Sequence, residues 1–183
     1  NYVFQGKGTD GPNGGATWSA DNARANFNLA LQSWADVAKI VFLEMPGPYN
    51  GVGSTSQYDW IEELGTLDSG IAGEHDLPLA GTLTGTYNNR FGYIDSLSVR
   101  PGGAAYSTFV HEIGHGLGLL HPHNDAEDPA GDPAFPGVVD SSDLGTARLN
   151  QGVFSVMTYN SGYEDVGLAP SYDYGWEMGP QPF

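Results

Sequence analysis

The chain has 183 residues, 39% of them hydrophobic and 12% aromatic, enough for a real core in one domain or in one domain with two lobes. Six basic residues against 22 acidic ones give a net charge of −16. That balance argues against nucleic acid and anionic membrane as partners, because phosphate binding needs clustered Lys and Arg. No run of about twenty apolar residues offers a transmembrane span, and a cysteine count of 0 rules out disulfides and thiolate ligands.

No signal peptide is visible at Asn1, so the chain is expected to be mature or exported by another route. Tyr2-Val3-Phe4 reads as a short strand, followed by a glycine-rich connection from Gly6 to Gly15. Ser19 is the expected N-cap of a helix from Ala20 to about Ala38, with Asp21 in its first turn. Ala23, Phe27, Ala30, Leu31, Trp34, Val37 and Ala38 follow the helical period, so this helix faces the core and Trp34 packs. Ile40-Val41-Phe42-Leu43 reads as a short buried strand. Residues 45–81 read as irregular, and His75 within them as an exposed loop histidine rather than a second metal ligand. Thr82–Tyr87 and Gly92–Val99 read as two strands around the turn Asn88-Asn89-Arg90.

Pro101-Gly102-Gly103 then breaks the chain, and a helix is expected from about Ala104 to Leu117. Tyr106, Phe109, Val110 and Ile113 would face the core. His111 and His115, four residues apart, leave the same face of such a helix. Two nitrogens at that spacing can reach one zinc ion at about 2.0–2.1 Å each. Glu112 lies between them, rotated by about 100° around the axis, placed to serve a metal-bound water without being a ligand. His121 sets a geometric condition. On an unbroken helix it would sit roughly 9 Å further along and point away, so the chain must turn back. Gly118 is placed for that exit, since glycine enters the left-handed conformation without a Cβ penalty. Three histidine ligands with a fourth position open are the catalytic arrangement of zinc.

Beyond His121 the character changes. Asp125, Glu127, Asp128, Asp132, Asp140 and Asp143 crowd a Pro- and Gly-rich stretch over residues 122–152. A solvated acidic loop is one reading and a Ca²⁺ site the sharper one. His123 is too near His121 to be needed as a ligand. Tyr172, Tyr174 and Trp176 in the tail either pack in a core or line a wall of the site.

The stretch His111–His121 resembles the zinc signature of the metzincin metallopeptidases. Ser155-Val156-Met157-Thr158-Tyr159 resembles their Met-turn, Pro122 resembles the serralysin branch, and Leu31–Ala38 resembles the first long serralysin helix. Residues 45–100 match the family poorly. The resemblance implies an α+β fold: a two-lobed catalytic domain over residues 1–183, with the upper lobe at about 1–121 and the lower at about 122–183. In that arrangement the upper lobe carries a twisted mixed β-sheet with two long helices, the lower lobe is loop-rich, and a cleft lies between them. It implies zinc-dependent endopeptidase action on proteins or peptides, with His111, His115 and His121 as ligands and Glu112 as general base. By the same resemblance Tyr159 is a switchable further ligand that later hydrogen-bonds the intermediate, and Met157 underlies the imidazoles.

It also implies bacterial secretion, a proteinaceous inhibitor as a further partner, and substrate binding along an edge strand of the upper lobe. Either of the two strands around residues 88–90, or the irregular stretch before them, is a candidate for that edge. The C-terminal helix and Gly-Gly-x-Gly-x-Asp β-roll of serralysins are missing from this sequence. A catalytic fragment of a longer protein, or completion by a second polypeptide, is therefore expected. A zinc-containing binding or adhesion module without catalysis, and a matrixin-like metzincin, are the competing readings. The intact Glu112 speaks against the first; Pro122 and Tyr159 speak against the second.

Overall fold

The computed structural model describes residues 1–5, 18, 22–46, 49, 54–79, 81–90, 94–123 and 134–160. The elements run β1 (Tyr2–Phe4), α1 (Ala23–Val37), β2 (Trp60–Gly65), β3 (Gly73–His75), β4 (Leu83–Asn88) and α2 (Ala104–Gly116). The fold is α+β. Its sheet has the order β1-β2-β4-β3, with β1, β2 and β4 parallel and β3 antiparallel on β4. Contacts divide the chain into two units, Asn1–Gly118 and Leu119–Phe183.

In the first unit the core is aromatic. Phe27 lies 5.5 Å from Phe4, 5.2 Å from Trp18, 5.4 Å from Tyr87 and 5.3 Å from Phe109, centroid to centroid. One ring from α1 thus touches β1, β4 and α2 at once. Burying a side chain of this size contributes about 1.5–3 kcal/mol. Ala23, Phe27, Ala30 and Leu31 form the buried stripe of α1. Trp34 packs as expected, and its indole N–H donates to the Val110 carbonyl at 3.0 Å, tying α1 to α2.

Several expectations need correction. Helix α1 begins at Ala23 behind Asn22, whose φ is 60°, and not at Ala20. Ser19 and Asp21 lie outside the described residues, as do the Gly6–Gly15 connection and the aromatic tail. Val37 is exposed at the helix end. Ile40–Leu43 is no buried strand: Val41 and Leu43 are exposed, and the segment meets β1 only at an isolated Tyr2–Glu44 bridge. A four-residue apolar run does not distinguish a buried strand from a surface crossing.

Gly92–Val99 is not a strand over its described part either. The Asp95 carboxylate accepts the Leu97 and Ser98 N–H groups, each at 2.8 Å, so a local turn wins over a sheet ladder. The stretch 45–81 is more regular than its glycines suggest, because it holds β2 and β3. Two glutamates hide β2 in Trp60-Ile61-Glu62-Glu63-Leu64-Gly65, since Glu62 is fully buried and breaks the expected alternation.

The described part of the second unit is built from turns organised around Asn150. This buried side chain donates to the Asp143 carbonyl at 2.7 Å and accepts from the Thr158 hydroxyl at 2.5 Å. Asn160 adds hydrogen bonds to the Ser141 and Asn150 carbonyls at 2.8 and 2.9 Å. These bonds hold Met157, Thr158 and Tyr159 in a fixed turn.

Candidate metal centre

Helix α2 presents His111 and His115 one turn apart, with ring centroids 4.9 Å from each other. It ends as the sequence requires. Gly118 has φ +96°, and its N–H donates to the His115 carbonyl at 2.8 Å. A Cβ at Gly118 would meet Pro78 Cγ at 3.3 Å, on top of the cost of a left-handed backbone. After this exit the uninterrupted segment brings His121 back. One nitrogen each from His111, His115 and His121 falls within 4.8 Å of the others. Three neutral imidazoles are a donor set that suits zinc and other first-row divalent ions. Among the described residues this is the group of histidine and carboxylate side chains close enough to hold an ion.

The rings after the helix form a stack. His121 and His123 lie parallel, 7° apart and 4.8 Å between centroids. Tyr159 leans on both, at 4.6 Å from His121 and 5.1 Å from His123. Tyr159 is half exposed, whereas Met157, two residues before it, is buried. His123 is buried against a histidine of the triad, a packing role that its spacing did not suggest.

Glu112 is a buried residue of α2. Burial pushes its carboxyl from 4.5 up to about 8; His75 pulls it down, while Glu74 and Glu62 push it further up. Its side chain runs past Gly73 of β3, where a Cβ would meet Glu112 Cγ at 2.8 Å.

His75 is not an exposed loop residue. Its side chain is fully buried, with Nε2 3.4 Å from Glu62 Oε1, and its ring is 5.1 Å from Trp60. Nδ1 lies 2.8 Å from the Asp76 carbonyl, which can only accept, so Nδ1 carries a proton. Burial pulls the His75 imidazole down, but the Glu62 carboxylate and the Asp76 carbonyl outweigh it and leave the pKa raised. Glu62 also acts on the buried Tyr87 hydroxyl, which burial holds well above its ordinary range. Neither Glu62 Oε2 nor the Tyr87 hydroxyl completes a hydrogen bond with a described residue. Sequence reasoning missed this cluster. The one available signal was a histidine set between glycine-flanked acidic residues, which is common on exposed loops.

The calcium reading stays without support among the described residues. Asp140 and Asp143 are taken up in local turns, Asp140 with Ser142 and Asp143 with the Val139 N–H, and Asp125, Glu127, Asp128 and Asp132 lie outside the described residues. Among the described residues, no helix is long and apolar enough to cross a membrane.

No family model matches the chain. It is 35% identical over 133 residues to serralysin C of Dickeya chrysanthemi, covering 72% of this chain and 26% of that protein. It is 34% identical over 152 residues to serralysin A of the same organism, covering 82% and 29%. With the metalloprotease AprA of Pseudomonas entomophila the identity is 30% over 163 residues, covering 84% and 30%. The chain thus spans under a third of the length of the curated relatives it matches. Together with the histidine triad, these matches identify the chain as a serralysin-like metzincin.

Proposed function

We propose that the chain is the catalytic domain of a secreted zinc endopeptidase, with an upper lobe at about residues 1–121 and a lower lobe at about 122–183. The observation that carries this reading is the nitrogen triad of His111, His115 and His121 with the buried carboxyl of Glu112 on the same helix. The metalloprotease and serralysin names of its relatives support it. The triad would hold zinc through its imidazoles, fixed on one side by α2 and on the other by the Gly118 exit. Zinc, when bound, supplies a Lewis acid that polarises the scissile carbonyl and brings the pKa of water towards neutral.

Glu112 takes the proton of the attacking water and later delivers it to the leaving amine. Its place on α2 between the two helical histidines favours this shuttle, because bound zinc would favour the carboxylate that accepts the proton. Tyr159 would be a further ligand to zinc, and its hydroxyl, when off the metal, would donate to the oxygen that gains charge in the tetrahedral intermediate, an oxyanion-hole role. Met157 shapes the floor below the imidazoles. Proteins and peptides are the substrates. A proteinaceous inhibitor and a C-terminal segment or second polypeptide are partners that the resemblance suggests.

Casein cleavage by the zinc-loaded chain and by Glu112→Ala, with zinc content determined on both, tests the reading. The expected result is one zinc in each, cleavage by the wild type and none by the variant. Equal activity would exclude Glu112 as the base. Zinc in both proteins with cleavage by neither, even in a longer chain that carries a serralysin-type C-terminal segment, would leave a binding module.

A further inference from the structure

Beneath α2, three residues share one row of the sheet: Glu62 on β2 pairs with Gly85 on β4, and Gly85 pairs with His75 on β3. The glycine in the middle leaves the space in which the outer two side chains meet. A Cβ on Gly85 would come within 2.3 Å of Glu62 Oε2 and 2.6 Å of His75 Cδ2. A second glycine receives the ring from the helix side, since a Cβ on Gly116 would meet His75 Cε1 at 2.6 Å. His75 is therefore held by a carboxylate, by the Asp76 carbonyl and by a notch in α2 directly after His115.

The backbone of β3 has the opposite exposure. The Ala72 carbonyl and the Asp76 N–H bond to β4, at 2.9 Å from the Asn88 N–H and 3.0 Å from the Thr84 carbonyl. Antiparallel pairing alternates, so the N–H and C=O groups of Gly73 and His75 point away from β4, to the edge of the sheet that is free among the described residues. Asp76 completes the arrangement. Its carboxylate accepts the Thr84 N–H at 2.8 Å, which leaves its own carbonyl for His75 Nδ1. The residue whose main chain is offered to an added strand is the one whose side chain is locked from below.

We propose that Glu62 and His75 are positioning residues, a buried pair that seats β3 in the glycine notch of α2 and fixes its free edge for an extended peptide chain to pair with. This rests on the peptidase reading for its substrate, but the seat of β3 is measurable without turnover. The three-residue strand has too few ladder bonds to hold its place alone. The pair supplies what the ladder lacks, and acts on substrate binding through β3.

Amide hydrogen exchange and peptide kinetics on the zinc-loaded chain test this with His75→Leu, which strands the Glu62 carboxylate, and with His75→Gln, which keeps a donor towards it. In His75→Leu the Glu74 and Asp76 amides are expected to exchange about tenfold faster than in wild type, with the α2 amides unchanged. KM for an extended peptide rises about tenfold, with zinc content unchanged. His75→Gln restores most of both effects. Unchanged β3 exchange, acceleration of β3 and α2 together, or an unchanged KM would each overturn the proposal. If His75→Leu does not fold, the double variant Glu62→Leu/His75→Leu, which buries no lone charge, is measured in the same way against the same expectations. A wild-type chain that cleaves no peptide sinks the peptidase reading alone, because the exchange result stands without it.

Discussion

The buried carboxyl of Glu112 makes a quantitative prediction about the metal-free protein. In the folded chain burial raises it from 4.5 to about 8. Between those values the folded state holds a proton that the unfolded state has released, so stability is fully present below the lower value and is lost as pH rises through the upper one. Each pH unit in that window is worth about 1.4 kcal/mol, and the whole span roughly 5 kcal/mol. Urea unfolding of chelator-treated wild type and Glu112→Gln at pH 5, 6 and 7 reads this effect together with the coupling of Glu112 to His75. The stability of wild type relative to Glu112→Gln should fall by about 1.4 kcal/mol per pH unit. Loading with zinc should flatten the difference, since a nearby cation favours the carboxylate. Parallel pH profiles for the two metal-free proteins would refute the claim that Glu112 is protonated in the folded apo state.

Two further outcomes are expected. Tyr159→Phe should keep zinc and lose turnover by about 10²-fold, the usual loss for one oxyanion donor; steady-state kinetics with unchanged kcat would remove the hydroxyl from the mechanism. Asn150→Ala deletes the Asp143 and Thr158 hydrogen bonds. It should cost about 1–3 kcal/mol in denaturant unfolding and lower Tyr159-dependent activity with it. Full stability in that variant would show that the turn around Met157 is held by other contacts.

The site was more legible than the sheet. His111, Glu112, His115, Gly118 and His121 lie within eleven residues, so helix periodicity and one glycine exit determine their geometry almost without tertiary help. The same holds for α1, whose apolar period is strong, and for α2, whose start behind Gly103 and end near Leu117 were readable to within a residue. The strands were harder. β2 carries a buried glutamate, β3 is three residues long, and the Ile40–Leu43 run is apolar without being buried.

What the sequence by itself determined is the local chemistry: two imidazoles on one helix face, a carboxyl between them, and a left-handed glycine that turns the third imidazole back. What only the tertiary structure decided is which polar residues are buried together. Glu62, His75 and Tyr87 are separated by a dozen residues or more, and they meet because β2, β4 and β3 align in register over a glycine. Strand order and register depend on long-range pairing, which no local period encodes. His75 therefore read as a loop histidine in the sequence and stands in the fold as the anchor of the sheet's free edge.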